Sequence, residues 1–200
     1  MTGQKSRGLN QNRILRVLPL VLIGFGLIIL GVAGFILWPS PQDGGSAESA
    51  ETDHLNSSIP VAVDFPAPEL AVERLDGTPV SLDDYRGRVI LVNNWATWCP
   101  PCKAEMPTLQ AFYEAHEKQG FLIVAIDAGD AIADVERFVQ EYGLTFDVLV
   151  DPGMTAMQAF SNYGLPSSYL IDESGTVRLA WTGAISRDML ETHITPLLEE

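Results

Sequence analysis

The chain has 200 residues, two of them cysteine, and carries 12 Lys/Arg against 26 Asp/Glu. That length suits one domain with an appendage. Beyond Trp38 only eight basic residues face all 26 acids, a formal charge of −18, which argues against binding to nucleic acid or to anionic lipid surfaces and otherwise serves solubility.

The first 16 residues hold the other four bases (Lys5, Arg7, Arg13, Arg16) and no acid. Residues 17–38 follow without a single charged side chain. At about 1.5 Å per residue, a helix of that length reaches roughly 33 Å, the thickness of a bilayer core. The stretch is longer than the apolar core of a cleaved signal peptide, and no Ala-x-Ala site follows it directly. A retained single-pass anchor is therefore expected. The positive-inside rule places 1–16 in the cytoplasm and the rest in the extracytoplasmic, periplasmic space of the cell (inner) membrane. Residues 39–58, rich in Pro, Gly, Ser, Ala and acids, read as a flexible linker, and 59–200 as the folded domain.

Within that domain strand and helix patterns alternate. Strands are predicted at 70–75 and 89–94, separated by the turn Asp76-Gly-Thr-Pro79. A helix is predicted at 101–118, and a buried central strand at 121–127 from its continuous apolar run. Helical spacing covers 132–142, with Gly143 as its stop. A strand at 147–150 and a helix at 154–163 follow. Strands at 168–172 and 177–182 form a hairpin, and 187–198 closes the chain as a helix with Ser186 at its N-cap. The alternation implies an α/β fold with a mixed central sheet flanked by helices.

Cys99 and Cys102 are three positions apart and would close almost no loop, so their bond adds little chain-entropy stabilisation. Redox chemistry or metal binding is the alternative. Zinc needs two further ligands, and neither His54, His116 nor His193 has ligand-like spacing to the pair; all three read as surface residues. The pair lies where a buried strand hands over to a helix. Cys99 then sits at the helix N-terminus, where unpaired N–H groups and the dipole favour thiolate, and is the expected nucleophile. Cys102, one turn further in, is the resolving thiol. Pro100 and Pro101 remove N–H donors from the Cys99 sulfur and stiffen the turn. Glu105 shares a helical face with Cys102 and could move its proton if partly desolvated; the alternative is a solvated glutamate in an early helical turn.

The segment Trp95-Ala-Thr-Trp-Cys-Pro-Pro-Cys102 resembles the active site of the thioredoxin superfamily, and residues from about 63 to 196 resemble its TlpA/ResA/CcmG branch of membrane-tethered thiol–disulfide oxidoreductases. The second anchor of the resemblance is Gly164-Leu-Pro-Ser-Ser-Tyr-Leu-Ile-Asp172. It implies a cis Pro166 facing the disulfide, adjoining backbone at Leu165 that pairs with a substrate peptide, and an active-site glutamate at Glu105. Trp98 is expected at the rim and Trp95 in the core, with Pro107 kinking the helix. An added strand and helix between 125 and 163 fit the same branch. Asn93 stands where thioredoxin keeps a buried aspartate, and Asn94 departs from the family's aromatic residue. By resemblance the protein is a disulfide reductase with no cofactor beyond the redox-active Cys99–Cys102 pair. Its substrate would be a thiol protein such as apocytochrome c, and its reductant a membrane thiol-transfer protein of the CcdA/DsbD kind. A thiol oxidant remains open, because direction depends on potential. A peroxide-reducing redoxin would carry Pro-x-x-x-Thr/Ser-x-x-Cys, yet Val92 occupies the proline position. A Sco-like copper chaperone would space its cysteines by three residues instead of two.

Overall fold

The computed structural model describes residues 58–198. The expected cytoplasmic segment and membrane anchor, and the linker from 39 to 57, lie outside the described residues. Ser58 is part of the fold, since its N–H donates to the Ala184 carbonyl and its hydroxyl to the Gly183 carbonyl. Among the described residues no helix is long and apolar enough to cross a membrane.

Eight strands form one mixed sheet: β1 (Val61–Pro66), β2 (Ala71–Arg74), β3 (Pro79–Ser81), β4 (Ile90–Trp95), β5 (Leu122–Asp127), β6 (Asp147–Val150), β7 (Ser167–Ile171) and β8 (Thr176–Thr182). Their spatial order is β1-β8-β7-β4-β5-β6-β2-β3. Strands β4, β5 and β6 run parallel, and the remaining neighbours pair antiparallel. The helices are α1 (Pro100–His116), α2 (Ile132–Tyr142), α3 (Thr155–Ala159), α4 (Arg187–His193) and α5 (Thr195–Leu198).

Strand β4 is buried along its whole length because both faces of the sheet are covered. Leu91 and Trp95 face one cluster, with Met106, Leu109 and Phe112 of α1, Phe138 of α2 and Leu190 of α4. Ile90 and Val92 face the other, with Val124, Ile126, Tyr169 and Phe160. Alternation of side chains on one strand thus serves two cores.

The predicted elements from 89 to 150 match the observed ones within a residue or two, and Gly143 ends α2 in the left-handed conformation (φ 63°). Four expectations change. Strands β1 and β3 were not predicted; β1 is an exposed edge strand without inside-outside alternation, and β3 has three residues starting on a proline. The helix predicted at 154–163 shrinks to α3, because Met154 (φ 51°) and Ser161 (φ 53°) leave the helical region at both ends. The helix predicted at 187–198 divides at Ile194, beside Pro196, which has no N–H for the carbonyl four residues back. His116 is buried, not a surface residue; its Nδ1 lies 2.9 Å from the Phe112 carbonyl oxygen and its ring packs on Phe112.

Candidate active site

The C-terminal end of β4 turns through Ala96, Thr97 and Trp98 into α1. The turn is held at three points. The Cys99 N–H donates to the Ala96 carbonyl (3.2 Å), the Ala128 N–H to the Trp95 carbonyl (2.9 Å), and the Thr97 N–H to Asp130 Oδ2 (2.7 Å). Asp130 is itself placed by its N–H, which donates to Asp127 Oδ1 at 2.7 Å.

Cys99 is the N-cap of α1 and is disulfide-bonded to Cys102. The Cys99 sulfur accepts a hydrogen bond from the Cys102 N–H at 3.3 Å. Pro100 and Pro101 occupy the first two helical positions, where a missing N–H costs the helix nothing. Both cysteines are buried, Cys102 fully. Trp95 is fully buried against Phe138, with ring centroids 4.6 Å apart, whereas Trp98 is exposed.

Glu105, one turn beyond Cys102, is only 3% exposed. Its Oε1 accepts from Asn93 Nδ2 (2.9 Å) and its Oε2 from the Ile185 N–H (3.0 Å), so the carboxylate ties α1 to β4 and to the loop after β8. Burial pushes the carboxyl up to about 7, against these two donors, which favour the charged form. The solvated reading of Glu105 is therefore excluded.

Asn93 donates its second amide proton to Ser168 Oγ at 2.9 Å, and Asn94 reaches Ser167 Oγ at 3.4 Å. These are facing residues of the β4–β7 ladder. The two serines immediately follow Pro166, whose bond with Leu165 is cis. The Asn–Ser pairs thus fix the proline loop to the strand that delivers the cysteines. Leu165 is half-buried and lines a groove that also contains Cys99 and Trp98.

Sequence reasoning missed Asp127. It ends β5 in register with Trp95, is fully buried, and burial raises its carboxyl to about 7 despite the Asp130 N–H. The available signal was an acid closing an apolar run at the carboxyl end of a parallel strand, the edge where α/β sheets place their sites. Met154, Met157 and Tyr163, which line the groove beside Cys99, carried no local signal. Among the described residues no three His, Cys, Asp or Glu gather as a metal site.

A mixed sheet with a disulfide at the N-terminus of a central helix, opposed by a cis-proline loop, defines a thioredoxin-like dithiol/disulfide protein. A family model described as the AhpC/TSA family matches residues 63–180. The thiol–disulfide oxidoreductase ResA of Geobacillus kaustophilus is 35% identical over 143 residues, which is 72% of this chain and 82% of the relative. ResA of Geobacillus thermodenitrificans is 36% identical over 134 residues, 67% of this chain and 77% of the relative. A solved Chlorobium tepidum chain assigned as a thiol:disulfide interchange protein DsbE superposes with a TM-score of 0.63 at 30% identity, covering 68% of this chain and 96% of its own. The chain belongs to the AhpC/TSA family, within its ResA-like branch, and is a thiol–disulfide oxidoreductase.

Proposed function

We propose that the protein is an anchored, extracytoplasmic disulfide reductase acting through Cys99 and Cys102. The observation that carries the direction is the proline pair beside Cys99, which takes backbone donors away from a helix N-terminus that otherwise favours its thiolate. Among the described residues its sulfur accepts one hydrogen bond, from Cys102, because Pro100 and Pro101 have no N–H to offer. A weakly stabilised dithiol is a good electron donor, just as a strongly stabilised one is a good oxidant.

In this reading Cys99 attacks a partner disulfide and forms a mixed disulfide. Glu105 takes the proton of Cys102, which then attacks the Cys99 sulfur and releases the reduced partner. Leu165 and the cis Pro166 loop, with Trp98 at the rim, position the partner chain. Asn93, Trp95, Pro100 and Pro101 hold the site in shape. The partner class is thiol proteins, with apocytochrome c as the leading candidate by resemblance. A membrane thiol-transfer protein of the CcdA/DsbD kind supplies the electrons, and residues 17–38 hold the domain at the inner membrane.

The deciding experiment is the reduction potential of the Cys99–Cys102 couple, measured by equilibration with redox buffers. A value at or below that of thioredoxin, about −270 mV, is expected; one near −120 mV, as in a strong periplasmic oxidant, overturns the direction. Cys99→Ser should abolish reduction of insulin disulfides, and retained turnover would remove Cys99 from the mechanism.

A further inference from the structure

Cys99 opens onto a groove of about 370 Å³, at the small end of the roughly 300–1,000 Å³ of ligand pockets, so it holds one or two side chains and not a folded domain. No charged residue lines it. Three large apolar side chains stand at its rim in an otherwise acidic protein: Trp98 is 65% exposed, Met154 48% and Tyr163 70%. A cluster of exposed apolar groups at one place marks an interaction surface.

The rim is also built rigidly. Met154 sits in the left-handed region, uncommon for a residue with a side chain (φ 51°). It is held there by its N–H, which donates to the Asp151 carbonyl (2.9 Å). The buried Asp151 carboxylate in turn caps α3 by accepting from Thr155 Oγ1 and the Ala156 N–H. Gly129 borders the Met154 side chain, since a Cβ added there would stand 3.7 Å from Met154 Cγ. Tyr163 lies on a loop braced by Asn162, whose Oδ1 accepts from the Gly164 N–H (2.9 Å) and whose Nδ2 donates to Thr182 Oγ1 (3.0 Å). Backbone held out of its common regions at a binding surface argues for a role there. Prior ordering also lowers the entropy cost of docking.

The occupant follows from Cys99 itself. A mixed disulfide on its sulfur has to put the partner's chain in this groove. We infer that the groove between Met154 and Tyr163 receives an apolar side chain next to the partner's reacting cysteine, so that the enzyme selects cysteines with apolar neighbours. The inference rests on the disulfide-reductase reading and specifies its substrates. In the reaction the Cys99 thiolate breaks the partner's S–S bond and forms Cys99–S–S–partner, and the other partner sulfur leaves as thiolate. Cys102, having lost its proton, attacks the Cys99 sulfur and the second partner thiolate leaves. The released thiolates take up protons, the partner is reduced by two electrons, and the enzyme ends as the Cys99–Cys102 disulfide.

The test uses reduced full-length protein in lipid nanodiscs and two symmetrical peptide disulfides, Gly-Leu-Cys-Leu-Gly and the neutral polar Gly-Asn-Cys-Asn-Gly. Each second-order rate constant is divided by that of dithiothreitol with the same peptide, which cancels differences in peptide reactivity. The wild type should prefer the Leu peptide about tenfold, the scale of partly burying one such side chain. Met154→Asn with Tyr163→Ser should bring the ratio close to one, and asparagine suits the left-handed backbone at 154. Met154→Leu with Tyr163→Phe should keep the preference. A wild-type ratio near one, or a preference that survives the polar double substitution, overturns the inference while leaving reduction itself intact. Failure to reduce either peptide or hydroxyethyl disulfide overturns the reductase reading and this inference with it.

Discussion

Glu105 is a carboxyl group in a place that strongly disfavours its charge, yet both oxygens accept hydrogen bonds. Those donors keep the ionised form within reach, so the group titrates near neutrality instead of staying permanently neutral. Asn93 suits both states. Its Nδ2 donates to the carboxylate, and its Oδ1, which has no partner among the described residues, gives an acceptor if the amide turns toward a protonated Glu105. An aspartate in place of Asn93 would add a second charge and lose the donor. As a base for Cys102, Glu105 works only when ionised. The resolving step should therefore slow as pH falls through about 7. Glu105→Gln should remove that inflection and slow the step by about 100-fold at pH 8, at the low end of general-base contributions. Single-turnover release of partner thiol against pH is the measurement; an unchanged profile would take Glu105 out of proton transfer.

Between elements, the two polar pairs of the β4–β7 ladder are unequal. Each leaves its asparagine Oδ1 without a partner among the described residues, but Asn93 Nδ2 makes two bonds of 2.9 Å, to Ser168 Oγ and Glu105 Oε1, whereas Asn94 Nδ2 makes one of 3.4 Å, to Ser167 Oγ. A buried polar pair that is poorly satisfied is replaceable by apolar groups of similar shape at little or no cost. Asn94→Leu with Ser167→Ala should leave stability unchanged or raise it by about 1 kcal/mol in urea unfolding, while Asn93→Leu with Ser168→Ala should lower it, because Glu105 loses a donor. A loss in the first pair as large as in the second would show that Asn94 has a role that packing does not reveal. The same elements show what a sequence discloses. The long apolar runs of β4 and β5 and the helical period of α2 are local patterns, and so is the Cys99–Cys102 spacing in a strand-to-helix turn. Asn94 stands out in the sequence as a departure, but nothing local shows that Ser167 faces it across the ladder at 3.4 Å. Strand β1 exists because the distant β8 offers it hydrogen bonds, β3 is three residues paired with the nearby β2 and too short to show a pattern of its own, and burial of His116 and Asp127 is set by tertiary contacts. Met154 and Tyr163 line the groove beside Cys99 only once the chain from β5 to β7, which carries α2, β6 and α3, has folded.

For the whole molecule these buried acids set a pH optimum. Burial raises both Glu105 and Asp127 to about 7 in the disulfide form. The native state therefore holds protons that the unfolded chain has already released, and stability falls as pH rises from the ordinary carboxyl range to about 7. For Glu105, a rise from 4.5 to about 7 corresponds to on the order of 3 kcal/mol at about 1.4 kcal/mol per unit. Asp172 acts in the opposite direction. Its desolvation is outweighed by hydrogen bonds from Ser174, Thr176 and Arg178, which hold it at about 2, so its contribution is present at higher pH and lost as pH falls from about 4 toward 2. Repulsion within a chain of net charge −14 also grows as its carboxyls ionise. The three effects together place maximum stability of the oxidised protein between about pH 4 and 5, well below neutrality. Urea midpoints at constant ionic strength should decline from pH 5 to pH 8 and then level off. Glu105→Gln should flatten much of that decline and leave the acid limb unchanged. A wild-type midpoint that rises between pH 5 and 8 would mean that Glu105 and Asp127 are ionised in the native state throughout, and that the hydrogen bonds from Asn93, Ile185 and Asp130 outweigh burial.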